Sequence, residues 1–421
     1  MKRLIAGVAI FLLGCASSDQ AVRYDRTAYV GARVFDGERF QRRDIVVEGA
    51  RIVDSPASTA SNRIDVSGRY IVPPFCEAHN HNLGDADRND EAIAQYLREG
   101  IFYVGILSNL PRLTDPVRHT YNTPSSVDVI FANGPITATG GHPIRIRELF
   151  LARGFYPGFT RETLPGQGYV VIDNEVDLER QWPAIVALRP DFIKIILIYS
   201  EEFARRRDDA EYFGYKGLDP ALVPRIVERA HGAGLRVFAH IDTAHDFHVA
   251  VESGVDVIAH LGGFNEPMRI DGADARLAAE RGVQVMTTTA VIERRRERVS
   301  AEAYAALQNG LVENLRLLRE AGVTLAVGSD EPRATSSIEV SYLRGLNVFS
   351  NAELLRMWSS DCSATLFPER RLGRLEPGFE ASFLVLNGNP LANFDNTASI
   401  AMRVKEGQIL NVPPPPAEDD E

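Results

Sequence analysis

Two histidines that flank a single asparagine are the residues of this sequence whose spacing points most directly to chemistry. His79-Asn80-His81 closes an apolar run at 70–75 that predicts a β-strand. Side chains two positions apart on a strand point to the same face, so both imidazoles would converge at its end. Neutral imidazole is the commonest protein ligand of transition metals. The triplet therefore predicts part of a metal site, although such pairs also occur by chance on surface strands.

Three further polar residues stand at comparable positions. His240, His260 and Asp330 each follow directly on a short apolar run that predicts a strand. The C-terminal ends of the strands in a parallel barrel all face one side, where barrel enzymes have their active sites. One such histidine is more often a buried structural residue than a ligand. Four histidines and an aspartate at four strand ends favour a metal centre.

Lys194 is the most unusual residue of the set. Of the 46 lysine and arginine residues only four are lysines, and this one lies within the most apolar predicted strand, 192–198. Burial disfavours the charged ammonium and lowers its pKa. A neutral amine can react with carbon dioxide to form a carbamate, which can bridge two metals. The alternatives are a pairing with a nearby aspartate and a side chain that extends to the barrel rim.

The elements that must position these residues alternate between strands and helices. Eight segments predict strands: 70–75, 101–107, 127–132, 192–198, 236–241, 257–261, 283–288 and 324–327. Helices are predicted between them, among others at 90–98, 176–188, 220–233, 243–252 and 301–320. Eight alternating β/α units fit a closed parallel TIM barrel.

The domain boundaries follow changes in pattern along the chain. Short alternating apolar runs with Asp-Gly and Glu-Gly turns predict β-structure in 25–72, and β-structure returns in 373–411. The barrel is predicted to occupy 73–372. Residues 412–421 are rich in proline and then acidic, and predict a disordered tail.

The N-terminus predicts export. Basic residues at 2–3 precede an apolar run at 4–13, which is too short for a standard membrane span. The run ends in Leu12-Leu13-Gly14-Cys15, which resembles the lipobox of bacterial lipoproteins. The resemblance implies a signal peptide at 1–15, lipidation of Cys15, a tether at 16–24 and an anchor in the cell envelope on the periplasmic side. The alternative is an ordinary secretory signal with a chance cysteine.

Composition excludes some classes of function. The net charge of −11 argues against nucleic-acid binding, and 45% hydrophobic with 24% charged residues is ordinary for a globular protein. A small-molecule substrate remains the expected partner, with a homo-oligomer also open. Cys76 and Cys362 stand in apolar contexts, which favours free buried thiols, although an exported pair could form a disulfide.

Taken in chain order, these candidate residues resemble the metal-site pattern of the amidohydrolase superfamily. The resemblance covers nearly the whole mature chain. The matching positions, in the family's order, are His79, His81, Lys194, His240, His260 and Asp330. The flanks 68–73 and 373–381 are also similar, and 140–143 with 192–194 resemble the imidazolonepropionase and prolidase-like branch. Pro74, Glu77 and Ser382 depart from the usual pattern, but none of them removes a ligand.

The resemblance implies an α/β fold, a (β/α)8 barrel with a small β-sandwich built from both termini. It also implies two divalent ions, zinc by expectation. His79, His81 and Asp330 would hold the first ion, and His240 and His260 the second.

Carbamylated Lys194 would bridge the two ions together with a hydroxide, and Asp330 would act as general base. These roles imply hydrolysis of a C–N bond in an amide, a cyclic amide or a dipeptide-like molecule. His142 and Tyr199 are candidate substrate-binding residues, since both lie in long loops that would form the pocket. The alternatives are a structural turn at His142 and a packing role for Tyr199. Ester, lactone or phosphotriester hydrolysis at the same centre stays open, as does a non-catalytic metal-binding lipoprotein.

Overall fold

The computed structural model describes residues 25–414. The predicted signal peptide with Cys15, the 16–24 tether and residues 415–421 of the predicted tail lie outside the described residues. No helix within 25–414 has both the length and the apolar character needed to cross a membrane.

The strands, in chain order, are β1 (Arg26–Val30), β2 (Arg33–Phe35), β3 (Phe40–Arg42), β4 (Ile45–Glu48), β5 (Arg51–Val53), β6 (Asn62–Asp65), β7 (Tyr70–Val72), β8 (Phe75–Asn80), β9 (Ile101–Ile106), β10 (Asp128–Phe131), β11 (Ile136–Thr137), β12 (Val170–Val171), β13 (Ile193–Ile196), β14 (Val237–His240), β15 (Val257–Ile258), β16 (Gln284–Met286), β17 (Leu325–Ala326), β18 (Phe383–Leu386), β19 (Ile400–Lys405) and β20 (Gln408–Ile409).

The α-helices are α1 (Asn89–Arg98), α2 (Pro111–Thr114), α3 (Ile144–Ala152), α4 (Glu175–Ala187), α5 (Phe203–Arg206), α6 (Val223–Gly232), α7 (Ala244–Glu252), α8 (Gly272–Glu280), α9 (Ala301–Ala321), α10 (Ser336–Gly345), α11 (Asn351–Arg356) and α12 (Cys362–Leu366). The five predicted helices are confirmed, with ends that differ by at most three residues. Helix α9 shows why these boundaries are readable: the Ser300 side chain caps its first turn, and Gly322 ends it at a φ of 82°.

Parallel strands form the core of the α/β fold. One sheet has the order β10-β9-β8, and a second has the order β12-β11-β13-β14-β15-β16-β17. Hydrogen bonds join both edge strands of the first sheet, β8 and β10, to the second sheet. The Ala78 N–H in β8 donates to the Val327 carbonyl after β17, and the Asp191 N–H before β13 donates to the Phe131 carbonyl in β10, each at 2.9 Å. The first and last parallel strands therefore lie side by side.

The first predicted strand, 70–75, is wrong. Tyr70–Val72 (β7) pairs with β2 and β18, whereas Phe75–Asn80 (β8) is a separate strand that pairs with β9 and contains His79. Pro73 and Pro74 stand between the two strands. Proline has no N–H to donate to a ladder, so the sheet pairing stops there and the chain passes from one sheet to the other.

The other seven predicted strands are confirmed with ends that shift by at most three residues. Two short strands were not predicted, β11 and β12. They lie in the long segment between β10 and α4 and pair with each other in parallel, and β11 also pairs with β13. Two-residue strands leave too few residues for an apolar pattern to be readable.

Residues 26–72 and 383–409 build two further sheets. Their orders are β5-β4-β1-β6 and β20-β19-β18-β7-β2-β3, so strands from both ends of the described chain pair with one another. Tyr29 and Phe383 meet edge to face at 4.9 Å in a hydrophobic cluster shared by the two sheets. Burial of this cluster is the physical reason that the two distant segments associate.

The two described cysteines are joined. Cys76 in β8 and Cys362 in α12 are both fully buried, as predicted, but they form a disulfide with Cα atoms 5.8 Å apart. The expectation of free thiols is therefore wrong. The two positions are 286 residues apart, and only the packing of α12 against β8 brings them within bonding reach.

Candidate metal centre

His79, His81 and Asp330 converge as the sequence predicts. One ligand atom from each lies within 4.8 Å of the others. The Asp330 carboxylate is 3.6 Å from Nε2 of His79 and 3.2 Å from Nε2 of His81. The adjacency of β8 and β17 produces this arrangement, and the Asp330 N–H donates to the His79 carbonyl at 2.8 Å.

Backbone carbonyls orient both imidazoles. Nδ1 of His79 contacts the Ala259 carbonyl, and Nδ1 of His81 contacts the Ser108 carbonyl at 3.2 Å. A carbonyl only accepts, so each Nδ1 carries a hydrogen, and in the neutral imidazole each Nε2 then presents its lone pair. The lone pairs thus face Asp330, and this is the usual way in which protein groups fix a metal-binding histidine.

His240 and His260 form a second pair beside the first. Nδ1 of His240 and Nε2 of His260 are 2.6 Å apart, with rings nearly perpendicular. The His260 ring centroid is 5.5 Å from that of His79, so the two pairs adjoin. Strands β13 to β15 pair in sequence order, which brings the ends of β14 and β15 next to each other.

Lys194 lies in β13, next to the β14 strand that ends at His240. Its side chain is 4% exposed and its Nζ has no hydrogen-bond partner among the described residues. Burial lowers the pKa of Lys194 to about 7, against the opposing effect of the Asp330 carboxylate. Nε2 of His240 is likewise buried without a hydrogen-bond partner.

Asp330 has an unusual backbone conformation and a carboxyl group with an unusually low pKa. Its φ is +48°, a left-handed conformation that non-glycine residues adopt mainly at turns and functional sites. Burial raises the pKa of its carboxyl group, but the His79 and His81 imidazoles outweigh burial and hold the pKa well below its usual range. Asp330 is therefore an ionised carboxylate, and Arg294 donates to its backbone carbonyl at 3.0 Å.

Burial disfavours the protonated form of four imidazoles of the centre. Burial lowers the pKa of His260 to about 3 and that of His142 to about 4, and it holds those of His79 and His240 well below the usual value. Neutral imidazole is the form that binds a metal.

A buried aspartate fixes the strand ends that bear Lys194 and His240. The Asp246 carboxylate, fully buried in α7, accepts from the backbone N–H groups of Tyr199 and Ser200 after β13 and of Asp242 and Thr243 after β14. Thr243 and Asp246 also form the capping box that begins α7.

The two predicted substrate-binding residues have different surroundings. The His142 ring stacks on the His240 ring with centroids 5.0 Å apart, so His142 belongs to the centre. Tyr199 lies just past β13 at a φ of +48°, and the Arg206 guanidinium covers its ring at 3.7 Å. The contact between the Tyr199 ring and Arg206 is therefore a packing contact.

The sequence analysis assigned no role to two residues that lie next to the centre. Glu77, fully buried in β8, accepts from Ser329, the residue before Asp330. Arg147, 8% exposed in α3, donates to Ser108, whose carbonyl holds His81. The charge of Glu77 within an apolar run was a readable signal, but nothing in the sequence near Arg147 marks its position.

The donor set fits divalent metal ions. Two imidazoles and an ionised carboxylate form one group, and two further neutral imidazoles adjoin it. Buried polar atoms normally have partners, so the unpaired Nζ of Lys194 and Nε2 of His240 mark places where a bound group completes the site.

Comparison with known proteins shows which family part of the chain is similar to. Residues 214–410, slightly less than half of the chain, match the Amidohydrolase family. The imidazolonepropionase of Streptomyces avermitilis is 23% identical to this chain over 252 residues, which cover 56% of this chain and 61% of that relative. The match thus spans less than two thirds of the relative's length.

Solved structures share the fold of this chain. A prolidase crystallised with N-methylphosphonate-L-proline is 22% identical, with a TM-score of 0.71 over 92% of this chain and 100% of that one. The A. niger ochratoxinase is 18% identical, with a TM-score of 0.72 over 92% of this chain and 96% of that one. At these identities the similarity establishes a common α/β fold.

Proposed function

We propose that this protein is an exported metal-dependent hydrolase that cleaves a C–N bond in a small amide, cyclic amide or dipeptide-like molecule. The observation that carries the proposal is the convergence of four histidines, an ionised aspartate and an unpaired buried lysine at neighbouring strand ends. The match of residues 214–410 to the Amidohydrolase family and the similarity to an imidazolonepropionase and a prolidase support the bond type.

Two divalent ions, zinc by expectation, would be held by separate parts of the donor set. His79, His81 and Asp330 would hold one ion, and His240 and His260 the other. When bound, such ions polarise a carbonyl and make hydroxide available near neutral pH.

The role of Lys194 follows from its environment. A lysine whose pKa is about 7 is neutral in about half of the molecules at neutral pH, and a neutral amine attacks carbon dioxide. Nitrogen then bonds to the carbon, one proton leaves, and a carbamate anion with two oxygens results. This anion would bridge the two ions and would give the buried Nζ the partners it otherwise lacks.

Asp330 would move the proton during hydrolysis. Its carboxylate is ionised and borders both His79 and His81. It would accept a proton from the attacking water and deliver it to the leaving nitrogen, which is general base and then general acid catalysis by one group. The strained backbone of Asp330 and its bond to the His79 carbonyl fix the position of the carboxylate during this transfer. His142, whose ring stacks on that of His240, would donate a hydrogen bond to the substrate carbonyl.

The architecture proposed for this chemistry is a closed (β/α)8 barrel, with a β-sandwich built from residues 25–72 and 373–411. The hydrogen bonds between β8 and the end of β17 support closure of the barrel. The hydrophobic cluster shared by the two smaller sheets supports the sandwich. Both proposals agree with active sites at the C-terminal ends of barrel strands.

Export and lipid anchoring through Cys15 complete the proposal. Disulfides persist in oxidising compartments such as the bacterial periplasm. The buried Cys76–Cys362 disulfide therefore supports an extracytoplasmic location on the periplasmic side.

Metal analysis combined with a substrate screen tests the function. Purified protein is expected to contain about two zinc-like ions per chain and to hydrolyse members of a library of dipeptides, N-acyl amino acids and cyclic amides. Asp330→Asn serves as the matched inactive control. Tightly bound metal without turnover of any amide or ester would contradict the enzyme and favour a metal-binding lipoprotein. Turnover of esters, lactones or phosphotriesters alone would correct the bond type.

A further inference from the structure

Three buried lysine and arginine side chains among residues 25–414 have no carboxylate partner. Five cationic side chains are buried among residues 25–414, and two of these, Arg206 and Lys405, pair with carboxylates at 2.6 and 2.7 Å. Within the same described part of the chain, no carboxylate oxygen lies within 4.0 Å of the cationic groups of Arg147, Lys194 or Lys216. A buried charge without a counter-charge is costly, so three such groups in one region need an explanation.

Two of these residues adjoin the segment that begins at His142, and the third, Lys194, lies in β13 beside the strand that ends at His240. The Lys216 carbonyl accepts from the His142 N–H at 2.9 Å, and the Arg147 N–H donates to the Pro143 carbonyl at 2.9 Å. The His142 ring stacks on the His240 ring, so all three residues border the candidate centre.

Two of the three cations have another role in the structure or the proposed reaction. Lys194 would be converted to an anionic carbamate, and Nζ of Lys216 donates to the Arg207 carbonyl at 2.5 Å, outside the centre. Arg147 has neither of these roles. Its guanidinium stays charged at every physiological pH.

The contacts of Arg147 place its guanidinium one residue from a metal ligand. Nη1 donates to the Tyr156 hydroxyl at 2.6 Å, and Nη2 donates to the Ser108 hydroxyl. The carbonyl of the same Ser108 accepts from His81. Only two of the five N–H donors of the guanidinium are thus used, both on neutral oxygens.

We propose that Arg147 forms an anion subsite that binds a carboxylate of the substrate. The proposal rests on the proposed hydrolase function and deepens it by naming an anionic substrate class. A carboxylate matches the planar fork of a guanidinium, and it would supply the missing counter-charge beside His81. Tyr156 and Ser108 hold the fork in place before the ligand arrives, which reduces the entropy lost on binding.

Calorimetric titration of the zinc-loaded protein with two probes tests the subsite. The probes are N-acetyl-L-alanine and its neutral counterpart N-acetyl-L-alaninamide, which differ only in the carboxylate. A charge-assisted hydrogen-bonded pair predicts about 10- to 100-fold tighter binding of the acid by the wild type. Arg147→Met should abolish most of this preference at unchanged zinc content. Arg145→Met is the matched control, since Arg145 lies on the same helix but is exposed, and it should keep the wild-type preference.

Two results would overturn the subsite: equal binding of the two probes by the wild type, or the same preference for the acid in Arg147→Met as in Arg145→Met. Arg147→Lys covers the case in which Arg147→Met does not fold. It keeps the charge but loses the fork, so its preference should fall severalfold, and an undiminished preference would also contradict the proposal.

The titration separates this inference from the hydrolase function. Arg147-dependent preference for the acid, without turnover in the library screen, would refute hydrolysis and retain the subsite. Turnover of N-acyl amino acids that is indifferent to Arg147→Met would retain the hydrolase and refute the subsite.

Discussion

Glu77 accepts hydrogen bonds from both the backbone N–H and the hydroxyl of Ser329, each at 2.8 Å. It also accepts from the N–H of His79 at 3.2 Å. One fully buried carboxylate thus connects the strand that contains His79 with the turn that presents Asp330, although Glu77 and Ser329 are 252 residues apart. Glu77 stands where the superfamily pattern has aspartate, and its longer side chain makes this connection.

Glu77→Ala should destabilise the fold and weaken metal binding together. Removal of the carboxylate leaves three buried donors unsatisfied, which costs about 1–3 kcal/mol of unfolding free energy for each unsatisfied group that water cannot reach. Urea denaturation and zinc analysis measure the two effects, and Glu38→Ala, at an exposed site, is the control for loss of a carboxylate. Glu77→Asp should restore part of both losses. Full zinc content in Glu77→Ala would refute the connection between the two ligands.

Lys194→Ala should reduce zinc content to half or less, because the bridging carbamate is lost. Acetate or propionate at high concentration should restore part of the zinc and of the turnover by replacing the carbamate. Carbon-13 NMR of protein incubated with labelled bicarbonate should show a carbamate signal in the wild type that is absent from Lys194→Ala. Full activity of the variant without additives would eliminate the bridging role.

Asp330→Asn should keep much of the zinc and lose turnover. The amide oxygen can still contact a metal, but it cannot accept a proton at neutral pH, and loss of a general base typically costs about 10²- to 10⁴-fold in kcat. Zinc analysis and steady-state kinetics on the same preparation separate the two roles. Turnover close to that of the wild type would remove Asp330 as the base.

Replacement of Cys76 and Cys362 by alanine should lower the unfolding free energy by about 2–5 kcal/mol, the usual effect of removing a native disulfide. Denaturation under non-reducing conditions measures this. The single variants should each expose one thiol to a thiol reagent after unfolding, whereas the unfolded wild type should show none from this pair. Two reactive thiols in unfolded, unreduced wild type would contradict the disulfide.

Many features of this protein were readable in the sequence by itself. The candidate ligands lie in or directly after apolar runs, and such runs are a local property that one segment displays without its neighbours. The positions of His240, His260 and Asp330 after apolar strands, and of Lys194 within an apolar strand, were therefore predictable, as were five helices.

The tertiary structure decided the features that depend on partners. Pro73 and Pro74 divide one predicted strand between two sheets, and only the pairing of the strands reveals it. The sequence shows that Arg147 is charged, but it does not show that no carboxylate of the described residues pairs with it. Nor does the sequence show that Cys76 and Cys362 are bonded. Such contacts join segments that are tens to hundreds of residues apart. Their energy comes from burial and complementarity between surfaces that no single segment contains, so the sequence of either partner does not reveal them.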